Sequence, residues 1–230
     1  AAVAGGTVYV LGLQPADQVA RVVRYAADHD IEQFAALIPQ NAYGSLAAQA
    51  FSAAVKNAGG KIAKIERYAS ANNVAGSLQK IMAALPEGGA LLIADGGVEL
   101  RTIAAQFQSG GVDTHKIQLL GTGLWDEAEL GRTAPALVGS WYAAPNPSLR
   151  RSFTNSYRNT YGGEPPRIAS IAYDATAFAA QVARAAGLSA ASFNEGSTFA
   201  GIDGTLRLTR QHATERTLAV MKVQQDGTHL

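Results

Sequence analysis

The chain has 230 residues, 47% hydrophobic and 16% charged, enough for a sizeable core in one large domain or two lobes. A formal net charge of +1, with Lys and Arg scattered rather than clustered, gives no footing for a nucleic-acid or anionic-membrane partner. The absence of cysteine removes thiol nucleophiles, disulfides and thiolate metal sites without fixing a compartment.

The opening residues Ala1 to Gly6 lack a basic region followed by a long apolar stretch, so no signal peptide is expected within this chain. No span approaches the roughly 18 uninterrupted apolar residues of a membrane helix. Thr7 to Leu11 is a short β-prone run. Gln14-Pro15-Ala16-Asp17 then opens a helix whose Val19, Val22, Val23 and Ala26 share one face. Phe34 to Ile38 predicts a strand ended by Pro39, and Ser45 to Asn57 a helix turning Leu46, Phe51, Ala54 and Val55 to a sheet before Gly59-Gly60 stops it. Lys61 to Tyr68 alternates as a half-exposed strand does, Val74 to Leu85 is helical until Pro86, and Ala90 to Ala94 is a buried strand. A helix over Glu99 to Gln108, a strand over Ile117 to Leu120, a short helical turn over Asp126 to Leu130 and a strand over Ala136 to Tyr142 continue the rhythm. Strands alternating with helices imply parallel βαβ units and right-handed crossovers.

The rhythm then breaks. Pro147 to Tyr161 and Ile168 to Ala186 are consecutive helical patterns with no strand between them. Ser197 to Ile202, Thr205 to Leu208 and Leu218 to Gln224 follow as three β-prone runs, with Asp203-Gly204 as a tight-turn signal between the first two.

In a parallel α/β sheet the loops after the strands share one rim, where small ligands bind. Three such loops stand out: Asn41-Ala42-Tyr43-Gly44, Asp95-Gly96-Gly97 and Gly121-Thr122-Gly123-Leu124-Trp125-Asp126. The Tyr43 phenol either leans over the rim, offering a ring and a hydroxyl, or packs on the helix start. Asp95 either receives an ammonium group or a sugar hydroxyl, or caps the helix beginning near Gly97. Trp125 either stacks on a ligand or closes the hydrophobic base of its loop. Gly121-Thr122-Gly123 invites a phosphate-loop reading, but the third glycine and the long following helix of a dinucleotide fingerprint are missing and no cofactor is expected. Catalysis finds little support. His29, His115, His212 and His229 form no metal-ligand pair at helical spacing, and no Gly-x-Ser-x-Gly elbow surrounds Ser45 or Ser77. A binding protein without a metal site, not an enzyme, is the expectation.

Several stretches, in order, resemble the type I periplasmic solute-binding proteins, especially the leucine/isoleucine/valine-binding components of ABC transporters. They are Gly12-Leu13-Gln14-Pro15 after the opening strand, Ile38-Pro39-Gln40-Asn41-Ala42-Tyr43-Gly44, Leu119-Leu120-Gly121-Thr122-Gly123, Ala172-Tyr173-Asp174-Ala175, and Phe199-Ala200-Gly201-Ile202-Asp203-Gly204 leading to Asp226-Gly227. The Gly-Thr-Gly-Leu-Trp-Asp run, with Trp141-Tyr142-Ala143-Ala144-Pro145, is similar to a branch described as penicillin-binding protein activators. The resemblance implies an α/β, parallel-sheet, Rossmann-like lobe, with residues 7–142 and 197–230 matching the second lobe and 146–196 a helical segment that packs on the first. That first lobe precedes the stretch corresponding to Thr7 in the family and is expected to be absent here. The helices at 147–161 and 168–186 are therefore expected to bury Phe153, Tyr157, Ile171, Phe178 and Val182 against a neighbouring chain or a rearranged surface, a route to a homo-oligomer.

The implied function is an extracytoplasmic, periplasmic solute-binding component that delivers an amino acid or similar small polar ligand to a membrane permease. The alternative is a regulator of peptidoglycan synthesis that contacts a cell-wall synthase. The implied ligand residues are Tyr43, Asp95, Gly96, Thr122, Gly123 and Trp125. Tyr43 corresponds to a tyrosine that amino-acid binders use against their ligand. Asp95-Gly96-Gly97 replaces a more aromatic stretch, and Thr122-Gly123 stands where some relatives place an acidic residue for the ligand's ammonium. Those departures imply room for a larger ligand, with Asp95 restoring negative charge one loop away.

Overall fold

Five short strands with mostly apolar sequences, β1 (Gln33–Pro39), β2 (Lys61–Tyr68), β3 (Ala90–Ile93), β4 (Gln118–Gly121) and β5 (Trp141–Ala144), pair in parallel in the computed structural model, which describes residues 4, 5, 8–186, 193 and 196–226. A later strand, β9 (Ala219–Lys222), adds antiparallel to β5 and completes a six-stranded sheet of order β2-β1-β3-β4-β5-β9. Helices cover both faces, as all-parallel pairing requires. Residues 35, 37, 91, 93, 119, 142 and 144 point to one face, where they pack with Leu78 and Ile81 of α3 (Ala75–Ala84) and Leu100 and Ile103 of α4 (Gly97–Ala104). On the other side α1 (Pro15–Ala27) contacts β4, β5 and β9, and α2 (Ala42–Asn57) contacts β1. Val19, Val22, Val23, Phe51, Ala54 and Val55 are the buried stripes of those two helices, at the spacing their sequences predict, whereas Leu46, expected on the same face, is 51% exposed. The short helix α5 (Leu130–Thr133) follows β4.

The chain divides into two units. A sheet unit comprises Pro15–Ala144 with Ala219–Leu230, and a helical unit comprises Ala1–Gln14 with Pro145–Leu218. The helical unit contains α6 (Pro147–Tyr161), α7 (Arg167–Ala186) and a three-stranded antiparallel sheet of β6 (Thr198–Gly201), β7 (Gly204–Leu208) and β8 (Thr214–Arg216). The limits of α6 follow from its ends. Asn146 accepts the Ser148 N–H at 2.9 Å, Pro147 occupies the first turn, and Gly162 stops the helix in the left-handed region at φ 75°.

Four sequence expectations are corrected here. Thr7 to Leu11 forms no ladder among the described residues: Val8 makes a single bridge to Gly5 and Val10 one to Ala213, just before β8, and Thr7 lies outside the described residues. The strand expected over Ala136 to Tyr142 starts at Trp141, since Pro135 nucleates a 3-10 turn to Leu137 and has no N–H to give a ladder. Thr214–Arg216 pairs as an extra strand in the hairpin sheet. Phe178 and Val182 of α7 need no neighbouring chain, since they are 2% and 8% exposed in a cluster with Leu206 and Leu208. Phe153, Tyr157 and Ile171 are half-buried. Gly227 and the residues after it lie outside the described part.

The small apolar cluster of the helical unit is accompanied by buried charge. Asp174 of α7 is fully buried, accepts the Ile202 N–H at 2.8 Å and pairs with Arg216 Nη1 at 2.6 Å. Asp203, also fully buried, accepts the Ser170 hydroxyl at 2.6 Å and pairs with Arg150 at 3.2 Å and Arg167 at 3.3 Å. Among the described residues no helix is long and apolar enough to cross a membrane.

Candidate functional site

The sheet order places the candidate site. From β1 the chain moves outward to β2, then returns to β3 on the other side of β1, so the β1/β3 pair is a topological switch point, whose carboxyl ends are where open α/β sheets bind ligands. Tyr43 follows β1, Asp95 follows β3, and the Gly121–Trp125 loop follows β4 on the same rim.

Asn41 starts α2 by accepting the Gly44 N–H at 2.7 Å. Gly44 is required there, since a Cβ would lie 2.0 Å from the Pro39 carbonyl oxygen at the end of β1. This close approach sets the half-buried Tyr43 at the strand end, with its hydroxyl 2.8 Å from Thr122 Oγ1. Burial pushes the Tyr43 phenol above its ordinary pKa; the bond to Thr122 opposes that, and the nearby Asp95 charge adds to it. Thr122 is fully buried, and its Oγ1 also accepts the Leu124 N–H at 3.4 Å to start a 3-10 turn over Gly123–Trp125. Gly123 donates its N–H to Gln18 Oε1 of α1 at 2.8 Å.

Asp95 is half-buried and held at three points. Its Oδ1 accepts the Gly96 N–H at 2.9 Å, its Oδ2 accepts the Tyr68 hydroxyl, and its backbone carbonyl accepts the Trp125 indole N–H at 2.9 Å. Burial first, then the Asp95 hydrogen bond and charge, and finally Glu99, push the Tyr68 phenol far above its ordinary value, so it stays a hydrogen-bond donor. Asp95 does not cap α4. That helix is capped from another loop, where Glu127 accepts the Gly97 N–H at 3.0 Å and pairs with Arg101 at 2.7 Å. Burial and the Asp126 carboxylate likewise push up the phenol of Tyr142.

Tyr43, Asp95, Gly96, Thr122 and Gly123 thus meet at one rim, as the sequence leads one to expect. Trp125 is corrected in its role. Its side chain is fully buried, its N–H is taken by Asp95, and its ring lies where a Cβ on Gly121 would be, 2.2 Å away. It closes the base of the loop and offers no stacking face. The sequence singles out neither Tyr68 nor Gln18 as a site residue, and it marks Glu127 only as an acidic residue suited to a helix first turn, not as the partner of Gly97. Tyr68 ends a strand as surely as Pro39 does, so the strand-end rule applied to β2 would have found it. Gln18 reaches its partner across 105 residues, and no local pattern marks that. Among the described residues no group of three or more His, Cys, Asp and Glu side chains could hold a metal ion.

A family model described as periplasmic binding protein matches residues 2–228. Solved structures share the architecture. A branched-chain amino acid ABC transporter periplasmic ligand-binding protein from Burkholderia xenovorans superposes with a TM-score of 0.75 at 17% identity, covering 94% of this chain and 60% of its own. A leucine-binding protein from Thermotoga maritima gives 0.69 at 19%, covering 94% and 64%. An ABC transporter solute-binding protein from Rhodopseudomonas palustris in complex with benzoate gives 0.68 at 15%, covering 94% and 62%. The chain therefore spans less than two thirds of the length of these structures, and at such identities the likeness carries the fold alone. No curated protein matches the sequence.

Proposed function

This chain belongs to the periplasmic binding protein family, and from that membership we propose that it is an extracytoplasmic solute-binding component of an ABC transporter. Its ligand is an amino acid or a similar small polar molecule, and its partner is a membrane permease. The single observation that carries the reading is the β1/β3 switch point, where Tyr43, Asp95 and the Gly123 loop converge at the carboxyl ends of the strands. The sheet unit acts as one of two jaws. Tyr43 supplies a ring and a hydroxyl and Asp95 a fixed acceptor, while Gly96 and Gly123 let their loops pack closely against Leu124 and Gln18. Thr122 and Trp125 hold these groups from below. Binding is capture without turnover, followed by hinge closure in the complete protein.

Amide NMR titration of the chain with L-leucine and with benzoate, the ligands named for structural relatives, tests this. At least one of them shifts the amides of Gly44, Gly96 and Gly123 first, and Tyr43→Ala weakens that response about tenfold, as loss of a buried aromatic contact does. Shifts confined to other regions, or a response unchanged by Tyr43→Ala, overturn the assignment.

A further inference from the structure

The charge at the rim goes beyond the assignment of a binding edge. We infer that Asp95, braced by Tyr68, makes this rim selective for solutes that present a positively charged group, with Tyr68 as the positioning residue. The inference rests on the reading of the rim as a ligand jaw and adds the charge class of the ligand.

Three observations carry it. Asp95 is oriented before any ligand arrives, because Tyr68 holds Oδ2, Gly96 holds Oδ1 and Trp125 holds the backbone carbonyl. Each carboxylate oxygen keeps a second lone pair, and the residue is half-buried rather than sealed, so a donor from outside can complete the set. Acidic groups stand nearby: Glu99 acts on Tyr68, and Glu127, which accepts the Gly97 N–H at 3.0 Å, already holds the guanidinium of Arg101 at 2.7 Å. An anion placed beside Asp95 would meet the Asp95 carboxylate and the Glu99 charge, and Arg101 is already engaged by Glu127. An ammonium or guanidinium group would instead gain a charge-assisted hydrogen bond to an acceptor whose orientation is already fixed.

Tyr68 has a distinct part. It is 6% exposed and therefore does not reach a ligand, but its phenol fixes the rotation of the Asp95 carboxylate. Removing its hydroxyl leaves the rim charge in place and loosens its aim.

Three probes sharing one ring separate the possibilities: benzylamine, benzyl alcohol and benzoate, titrated at millimolar concentration into the full chain with the Gly96 and Gly123 amides as readout. Benzylamine binds about tenfold more tightly than benzoate, the size of a hydrogen bond to a charged partner, with the alcohol between them. In Asp95→Asn the preference collapses to about twofold or less, since the acceptor geometry survives without the charge. In Tyr68→Phe the preference falls about threefold, and adding Asp95→Asn to it loses nothing beyond Asp95→Asn alone. A preference for benzoate, equal binding of amine and acid, or an amine preference that persists in Asp95→Asn overturns the inference while the moving rim amides leave the jaw reading intact. If no probe moves those amides in a folded chain, the jaw reading falls and the inference with it.

Discussion

In the sheet unit, β1, β3 and β4 are lined on both faces by buried Ala, Leu, Ile and Phe, and the Asp95–Tyr68 and Glu127–Arg101 contacts gather at the rim. In the helical unit, Asp174 and Asp203 sit fully buried beside Phe178, Val182, Leu206 and Leu208. The first arrangement draws stability from apolar area, at about 25 cal/mol per Å². The second has little such area, and its ionic cross-links tie α7 to the β6–β7 turn and to β8. A buried ion pair adds little net stability over an apolar pair of the same shape, but breaking one side of it is costly. The sheet unit should therefore tolerate polar changes at its edge, and the helical unit should not tolerate loss of a single charge within.

Arg216→Met makes the largest difference. It strands Asp174 without its cation and costs about 3–5 kcal/mol, seen as lost hydrogen-exchange protection in α7 and β7 while β1 and β3 keep theirs. The double change Asp174→Asn with Arg216→Met recovers part of that loss, since Asn still accepts the Ile202 N–H. Equal loss of protection in both units would break the comparison. Leu92→Ala, in the apolar sheet, costs about 2–5 kcal/mol by chemical denaturation and weakens β1, β3 and β4 first. Gly121→Ala drives a methyl into the Trp125 ring and costs about 1–3 kcal/mol, with a change in indole fluorescence reporting the displaced floor.

Tyr68→Phe is the mildest, about 1 kcal/mol near neutral pH. Its phenol sits above the ordinary value of 10.0 in the folded chain, so the unfolded chain loses that proton first. The stabilisation from Tyr68 is whole below pH 10.0 and drains away as pH rises past it. Tyr68→Phe therefore flattens the alkaline limb of a stability–pH curve, and an unchanged limb would mean that Tyr68 is not held as the structure shows.

These contrasts were unevenly visible in the sequence. Phe34 to Ile38 and Ala90 to Ala94 announce buried strands by composition alone, and Asn41 and Gly44 mark the start of the following helix. That was enough to locate Tyr43 and Asp95 at strand ends. The orientation of Trp125 was not available, because a short Gly-Thr-Gly loop permits an aromatic to point outward or inward and only the space over Gly121 decides. The pairing of β6 and β7 was legible from Asp203-Gly204, whereas the three residues of β8 were too few to show a period. The Asp174–Arg216 pair spans 42 residues and follows from the fold rather than from any local pattern.

The antiparallel strand β9 has a consequence for the order of assembly. It pairs Ala144 with Ala219 and Trp141 with Lys222, and all of Pro145–Leu218 is threaded between the two partners. The six-stranded sheet is thus begun early in synthesis and finished only after the helical unit has been made. Until then β5 is an open strand edge carrying Trp141 and Tyr142, able to pair with another nascent chain. Closing it joins ends separated by a long stretch, which makes this the slow, non-local step of folding. A ribosome-bound chain halted before residue 219 would be the species most in need of a chaperone.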